Sequence, residues 1–137
     1  MRYLANTTFL IDLINGDEGA LEVAKECDEV NETVGLSVVS VEEYLRGVYY
    51  LYWENKEVLK RRLASAERDL SAFEILPITR EIAVKAAEID ADLIKRGEAL
   101  SLAEILIAAT AINHNLILLT RNIEHFKRIS KMKIESY

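Results

Sequence analysis

The sequence predicts an α/β sandwich with a short, mostly parallel sheet. Three observations carry that reading. The strand candidates are brief, continuous apolar runs such as Leu116-Ile117-Leu118-Leu119, which suit strands covered on both faces. Segments with 4, 3, 4 apolar spacing separate them and read as amphipathic helices. Strand and helix alternate along the chain, the order that builds parallel sheets.

Strands are expected over residues 2–5, 34–39, 74–76 and 116–119, with a weaker one near 132–135. After the first, Phe9, Leu10, Leu13 and Ile14 resume at helical spacing, and this first helix includes Asp12. Asp17 can cap a helix over 18–30, with Leu21, Ala24 and Cys27 on one face. Residues 41–53 read as helix, as do 56–71, where Leu59, Leu63, Ala66 and Leu70 share a face. Thr79 can cap 80–96, whose Ile82, Ala86, Ile89 and Leu93 repeat that spacing until Gly97 stops it. Residues 102–113 form a further apolar helix.

At 137 residues, half of them apolar and 29% charged, the chain is expected to fold as one domain over 1–137 with a real core. No linker, repeat or low-complexity tract divides it. No apolar run approaches the roughly 20 residues of a membrane span, and the N-terminus lacks the regions of a cleaved signal. The single cysteine, Cys27, cannot form an internal disulfide, which fits a cytoplasmic location and a role as a small buried hydrophobe. A net charge of −6 argues against a protein that grips duplex DNA over a broad basic surface. It leaves open an enzyme that meets nucleic acid through one local patch, since carboxylates gathered around a cation would themselves make the charge negative.

In such folds ligands sit beyond the carboxyl ends of the strands. Asn6 follows the first strand; Glu42, Glu43 and Arg46 follow the second; Thr120, Arg121 and Asn122 follow the fourth. Glu104 lies near the start of the helix that precedes the fourth strand. Each has an ordinary structural reading. Ser40-Val41-Glu42-Glu43 and Ser101-Leu102-Ala103-Glu104 both match the capping box, and Thr7, Thr8 or Asn122 can be a plain cap. Converging on one sheet edge, however, carboxylates and amide oxygens are the hard ligands that Mg²⁺ or Mn²⁺ takes.

Four segments, "YLANTTFLIDLING", "LSVVSVEEYLRG", "GEALSLAEILIAATA" and "LILLTRNIEHFKRI", resemble in order the signature segments of PIN-domain proteins. They look most like the VapC-type toxins of prokaryotic toxin–antitoxin pairs, and the resemblance runs from about residue 2 to the C-terminus. It implies a three-layer α/β/α PIN-like fold and a Mg²⁺- or Mn²⁺-dependent endoribonuclease. It also implies a homodimer, and a cognate antitoxin that inserts a segment near the active site. Carried over, Asn6 falls where the family has its first catalytic aspartate and Glu43 on the glutamate of E-L-x-x-G, with Tyr44 replacing leucine. Glu104 falls on a usual aspartate, Asn122 on an Asn or Asp, and Thr120 on the usual Ser or Thr. The catalytic and metal positions are thus Asn6, Glu43, Glu104 and Asn122, with Arg46, Thr120 and Arg121 placed to meet RNA.

Asn6 deletes a negative charge facing a dication, and an amide cannot serve as a base. Three readings of it stay open: a weakened or inactive site, a site that borrows Asp12 or Glu42, or an aspartate replaced to silence a toxic enzyme. A catalytically inactive PIN module that pairs with an antitoxin-like protein or holds RNA is the alternative function. Arg121, Lys127, Arg128, Lys131 and Lys133 outnumber Glu124 and Glu135 and form a local basic patch suited to RNA. His114 and His125 lack the spacing and partners of a zinc site and read as structural. "VYYLYW" (48–53) wraps a helix too far to be all core, so part of it is expected in an interface with a second copy or a partner helix. Base stacking is disfavoured because nothing basic interleaves with these rings in sequence.

Overall fold

A computed structural model describes all 137 residues. In chain order the elements are β1 (Tyr3–Ala5), α1 (Thr7–Ile14), α2 (Glu18–Glu29), β2 (Gly35–Ser37), α3 (Val38–Tyr52) and α4 (Lys56–Leu70). They continue with β3 (Glu74–Leu76), α5 (Arg80–Lys95), α6 (Leu102–Asn113), β4 (Ile117–Leu119), α7 (Ile123–Phe126) and β5 (Ile134–Glu135). The five strands pair in parallel throughout, in the order β3-β2-β1-β4-β5. Helices cover both faces, as the apolar strand runs require.

The two side-chain faces of the strands make two cores. Leu4 and Leu118 point into one, with Ile82, Ala86 and Leu93 of α5 and Ile105 and Ala109 of α6. Tyr3, Ala5 and Leu119 point into the other, with Phe9 and Leu10 of α1, Ala20 and Cys27 of α2 and Leu70 of α4. This is the strand period of two written into three layers. No helix is long and apolar enough to cross a membrane.

The handover from β2 to α3 differs most from the sequence reading. β2 ends at Ser37 rather than 39, and α3 begins at once with Val38. The Ser37 hydroxyl accepts from Val39 N–H and starts the helix three residues early, although Val38 and Val39 carry strand propensity. Ser40 is therefore fully buried inside α3 and no capping box forms there. The second match is real: Ser101 and Glu104 cap α6 reciprocally. Asp17 and Thr79 cap α2 and α5 as expected. Thr79→Ala should lower stability by about 1 kcal/mol, a typical N-cap loss; chemical denaturation measures it, with the activity below unchanged.

β1 lies at the centre of the sheet. The chain passes from β1 to β2 and β3 on one side, then returns to β4 and β5 on the other. The crossover direction reverses between β1 and β4, the place where folds of this kind form a ligand crevice beyond the strand ends. Asn6 and Thr120 are the first residues past those two strands. Their backbones extend the ladder, Asn6 N–H donating to Leu119 O at 3.0 Å and Thr120 N–H to Glu135 O at 3.1 Å.

Candidate active site

Asn6 is 6% exposed and lies at that switch point. Its Nδ2 donates to Thr120 Oγ1 at 3.0 Å and to Thr8 Oγ1 at 3.3 Å, which uses both amide hydrogens. Its Oδ1 makes no hydrogen bond within the chain and is not sealed from solvent. The amide thus turns its NH₂ back into the protein and leaves its oxygen, not a repelling N–H, for the crevice. Thr120, fully buried, also accepts from Asn122 backbone N–H at 2.9 Å.

From α3, Glu43 Oε1 accepts from Thr7 Oγ1 at 2.7 Å. Because the carboxylate only accepts, Thr7 spends its single proton there. Ser40 Oγ, 2.8 Å from Thr7 Oγ1, must then be the donor of that pair. A relay of two hydroxyls from α1 and α3 thus fixes one oxygen of Glu43 and leaves Oε2 free. Tyr44, in place of the family leucine, faces away: its hydroxyl donates to Asp69 on α4 at 3.2 Å. Burial first, then Asp69, pushes its pKa up to about 12.

Glu104 Oε1 belongs to the capping box, accepting from Ser101 N–H and Oγ–H at 3.3 and 3.0 Å. Its Oε2 lies 3.4 Å from Asn122 Nδ2 and 2.6 Å from His125 Nδ1. Burial pushes this carboxyl up, but the hydrogen bonds from His125 and Ser101 together outweigh it and hold it below the usual range. One series of polar contacts therefore joins Asn6, Thr120, Asn122, His125 and Glu104, and Thr7 connects Asn6's own turn to Glu43.

His125 is the residue the sequence reading missed; its ring belongs to this network. The available signal was local. Asn122 and His125 stand three apart across the start of a helix, a spacing that puts two side chains on one face.

The other candidates are placed differently. Arg46 pairs with Glu42 at 2.9 Å on the surface and lines an open cleft with Thr7, Thr8, Ile11, Glu43, Gly47 and Tyr50. Positions 43, 46 and 50 follow helical spacing, so a basic residue does stand beside the 77% exposed Tyr50 ring. Arg121 is turned out of the crevice. It forks onto Asp17 at 2.9 and 2.7 Å, donates to Tyr137 O at 2.9 Å and stacks over the Tyr137 ring at 4.2 Å. Asp12 accepts from Tyr137 hydroxyl at 2.6 Å. Asp12 and Glu42 therefore both have partners of their own. Tyr49, Tyr50, Leu51 and Trp53 are all exposed.

No group of three or more His, Cys, Asp and Glu side chains stands ready to hold a metal. The donor set does fit a hard dication that keeps much of its water. Glu43 Oε2 and Asn6 Oδ1 are unengaged oxygens, and Mg²⁺ commonly takes only one or two carboxylates.

A parallel α/β/α sheet with polar oxygen donors at its central switch point sets the class of fold, and the PIN-domain family model matches residues 3–132. The chain belongs to the PIN-domain family. It is 38% identical over 99 residues to ribonuclease VapC1 of Rickettsia felis, covering 72% of each chain. It is 33% identical over 104 residues to a VapC ribonuclease of Pyrococcus furiosus; that match covers 76% of this chain but 65%, less than two thirds, of the relative. Among solved structures, VapBC2 of Rickettsia felis bound to a DNA fragment from its promoter superposes with a TM-score of 0.85 at 26% identity. That superposition spans 100% of this chain and 99% of the other.

Proposed function

We propose that this chain is a metal-dependent endoribonuclease of the VapC toxin type, hydrolysing RNA phosphodiesters at the β1–β4 crevice. The observation that carries the reading is the convergence of Asn6, Glu43, Glu104 and Asn122, drawn from four separate segments, on one sheet edge. Glu43, Glu104 and the amide oxygen of Asn6, with Asn122 beside them, would hold Mg²⁺ or Mn²⁺. Such an ion, when bound, lowers the pKa of a water and stabilises charge on a phosphodiester.

The chain's own residues orient these donors. Ser40 and Thr7 fix Glu43, Thr8 and Thr120 fix Asn6, and Ser101 fixes Glu104. An amide cannot accept the water's proton, so that work falls to one of the two carboxylates, Glu43 or Glu104. Arg46 in the adjoining cleft is placed to meet the RNA backbone, whereas Arg121 serves the fold. The resemblance to VapC toxins extends the proposal to an antitoxin partner and a homodimer, for which the exposed aromatic end of α3 offers apolar surface.

The test is incubation of a structured RNA with the purified chain in Mn²⁺, in Mg²⁺ and in EDTA. Cutting with either metal and none in EDTA is the expected result; cutting that persists in EDTA would remove the metal from the reaction. A second reading, a PIN module that binds without cutting, draws on the uncharged Asn6. It predicts RNA or antitoxin binding with no cleavage in any metal.

A further inference from the structure

We propose that His125 is a positioning residue of this site, holding the Oε2 oxygen of Glu104 through its Nδ1–H in the orientation a Mg²⁺ or Mn²⁺ ion requires. The inference rests on the metal-dependent reading above. Its basis is the 2.6 Å approach of Nδ1 to Oε2 across 21 residues of sequence, the shortest distance within the network. A carboxylate can only accept at such a distance, so the proton sits on Nδ1. The neutral Nδ1–H tautomer and the imidazolium both supply it, and the assignment therefore holds for either charge state. With Nδ1 donating to Glu104, the Asn122 amide, 2.8 Å from the same nitrogen, turns its oxygen to the ring and gives up the 3.4 Å contact of its Nδ2 with Glu104 Oε2, so Asn122 reaches Glu104 only through the shared Nδ1–H.

The need for such a device follows from position 104. Glutamate carries one more rotatable bond than the aspartate usual in the family, so its carboxylate has more ways to miss a fixed point. Here Ser101 grips Oε1 and His125 grips Oε2, while the second lone pair of Oε2 stays available to an ion. Hydrogen bonds of this kind to ligating groups set their direction, and losing one typically weakens metal affinity 10- to 100-fold. α7 carries the ring: a four-residue helix that begins directly after Asn122 and anchors its fully buried Phe126 in the core next to His125 in sequence. The His125 side chain itself stays 43% exposed, so substituting it removes the contact without opening the core.

Mn²⁺ titration of the full chain, read from the electron paramagnetic resonance signal of free Mn²⁺, tests this without any turnover. His125→Ala should weaken Mn²⁺ binding by about 10- to 100-fold, with the thermal unfolding midpoint unmoved. His125→Asn, whose amide nitrogen stands where Nδ1 stands, should restore most of that loss. His125→Gln, whose donor reaches the Nε2 position, should not. Unchanged binding in His125→Ala, or equal rescue by Asn and Gln, overturns the positioning role while leaving the metal site standing. No Mn²⁺ binding by the parent chain or by Asn6→Asp overturns the metal reading and this inference with it.

Discussion

Glu43→Gln should reduce metal-dependent RNA cleavage by about 100-fold or more. Partners that merely orient a metal ligand cost 10- to 100-fold when lost, and Glu43 is proposed as the ligand itself. The substitution is clean. Thr7 Oγ1 donates to Oε1 at 2.7 Å, and a glutamine oxygen accepts the same bond, so the Ser40–Thr7 relay and the start of α3 are preserved. What disappears is the charge and the free Oε2, replaced by an NH₂ that can neither ligate a cation nor take a proton. Cleavage assays with circular dichroism as the fold control give the result; retention of cleavage within a few-fold would remove Glu43 from the centre.

Asn6→Asp should act in the opposite direction, raising Mn²⁺ affinity and RNA cleavage by about tenfold or more. An added negative charge ~4 Å from a dication gains about 2 kcal/mol even at the dielectric constant of water, more than a factor of ten in affinity. The surroundings already suit a carboxylate. Both hydrogen bonds at Thr120 Oγ1, from Asn6 Nδ2 and from Asn122 N–H, are ones it accepts, so with asparagine its own proton has no acceptor in the chain. An aspartate would take that proton, the Asn122 contact would stay, and Thr8 can rotate in the same way. The variant should therefore fold as well as the parent. Isothermal titration with Mn²⁺ and the RNA assay together measure the gain; a loss of both would mean that the crevice rejects a second charge.

The fold was legible because the strands are continuous apolar runs and the helices carry clean stripes. The cap residues Asp17, Thr79 and Ser101 each did in the structure what their side chains suggested. Ser40 shows the limit of such motifs. Its S-x-x-E match was cancelled by Ser37, three residues earlier, which started α3 first and left the Ser40 hydroxyl to donate to Thr7. The site was legible as a set of positions at strand ends, since parallel topology brings those ends together. Its wiring was not. Arg121 sat beside Thr120 and Asn122 in sequence, but Asp17, 104 residues away, took its guanidinium. Tyr137 took Asp12 across 125 residues. Likewise His125 gained its importance from Glu104 on another helix, a contact no local pattern states.

We propose the β1–β4 switch point as a metal-dependent RNA-cutting centre whose first ligand position holds an amide. The most direct measurement compares RNA cleavage in Mn²⁺ by Asn6→Asp and by the double variant Asn6→Asp/Glu43→Gln, with EDTA as control. Cutting by the first alone, abolished by EDTA, is the expected outcome. Silence from both, or equal cutting by both, would contradict it.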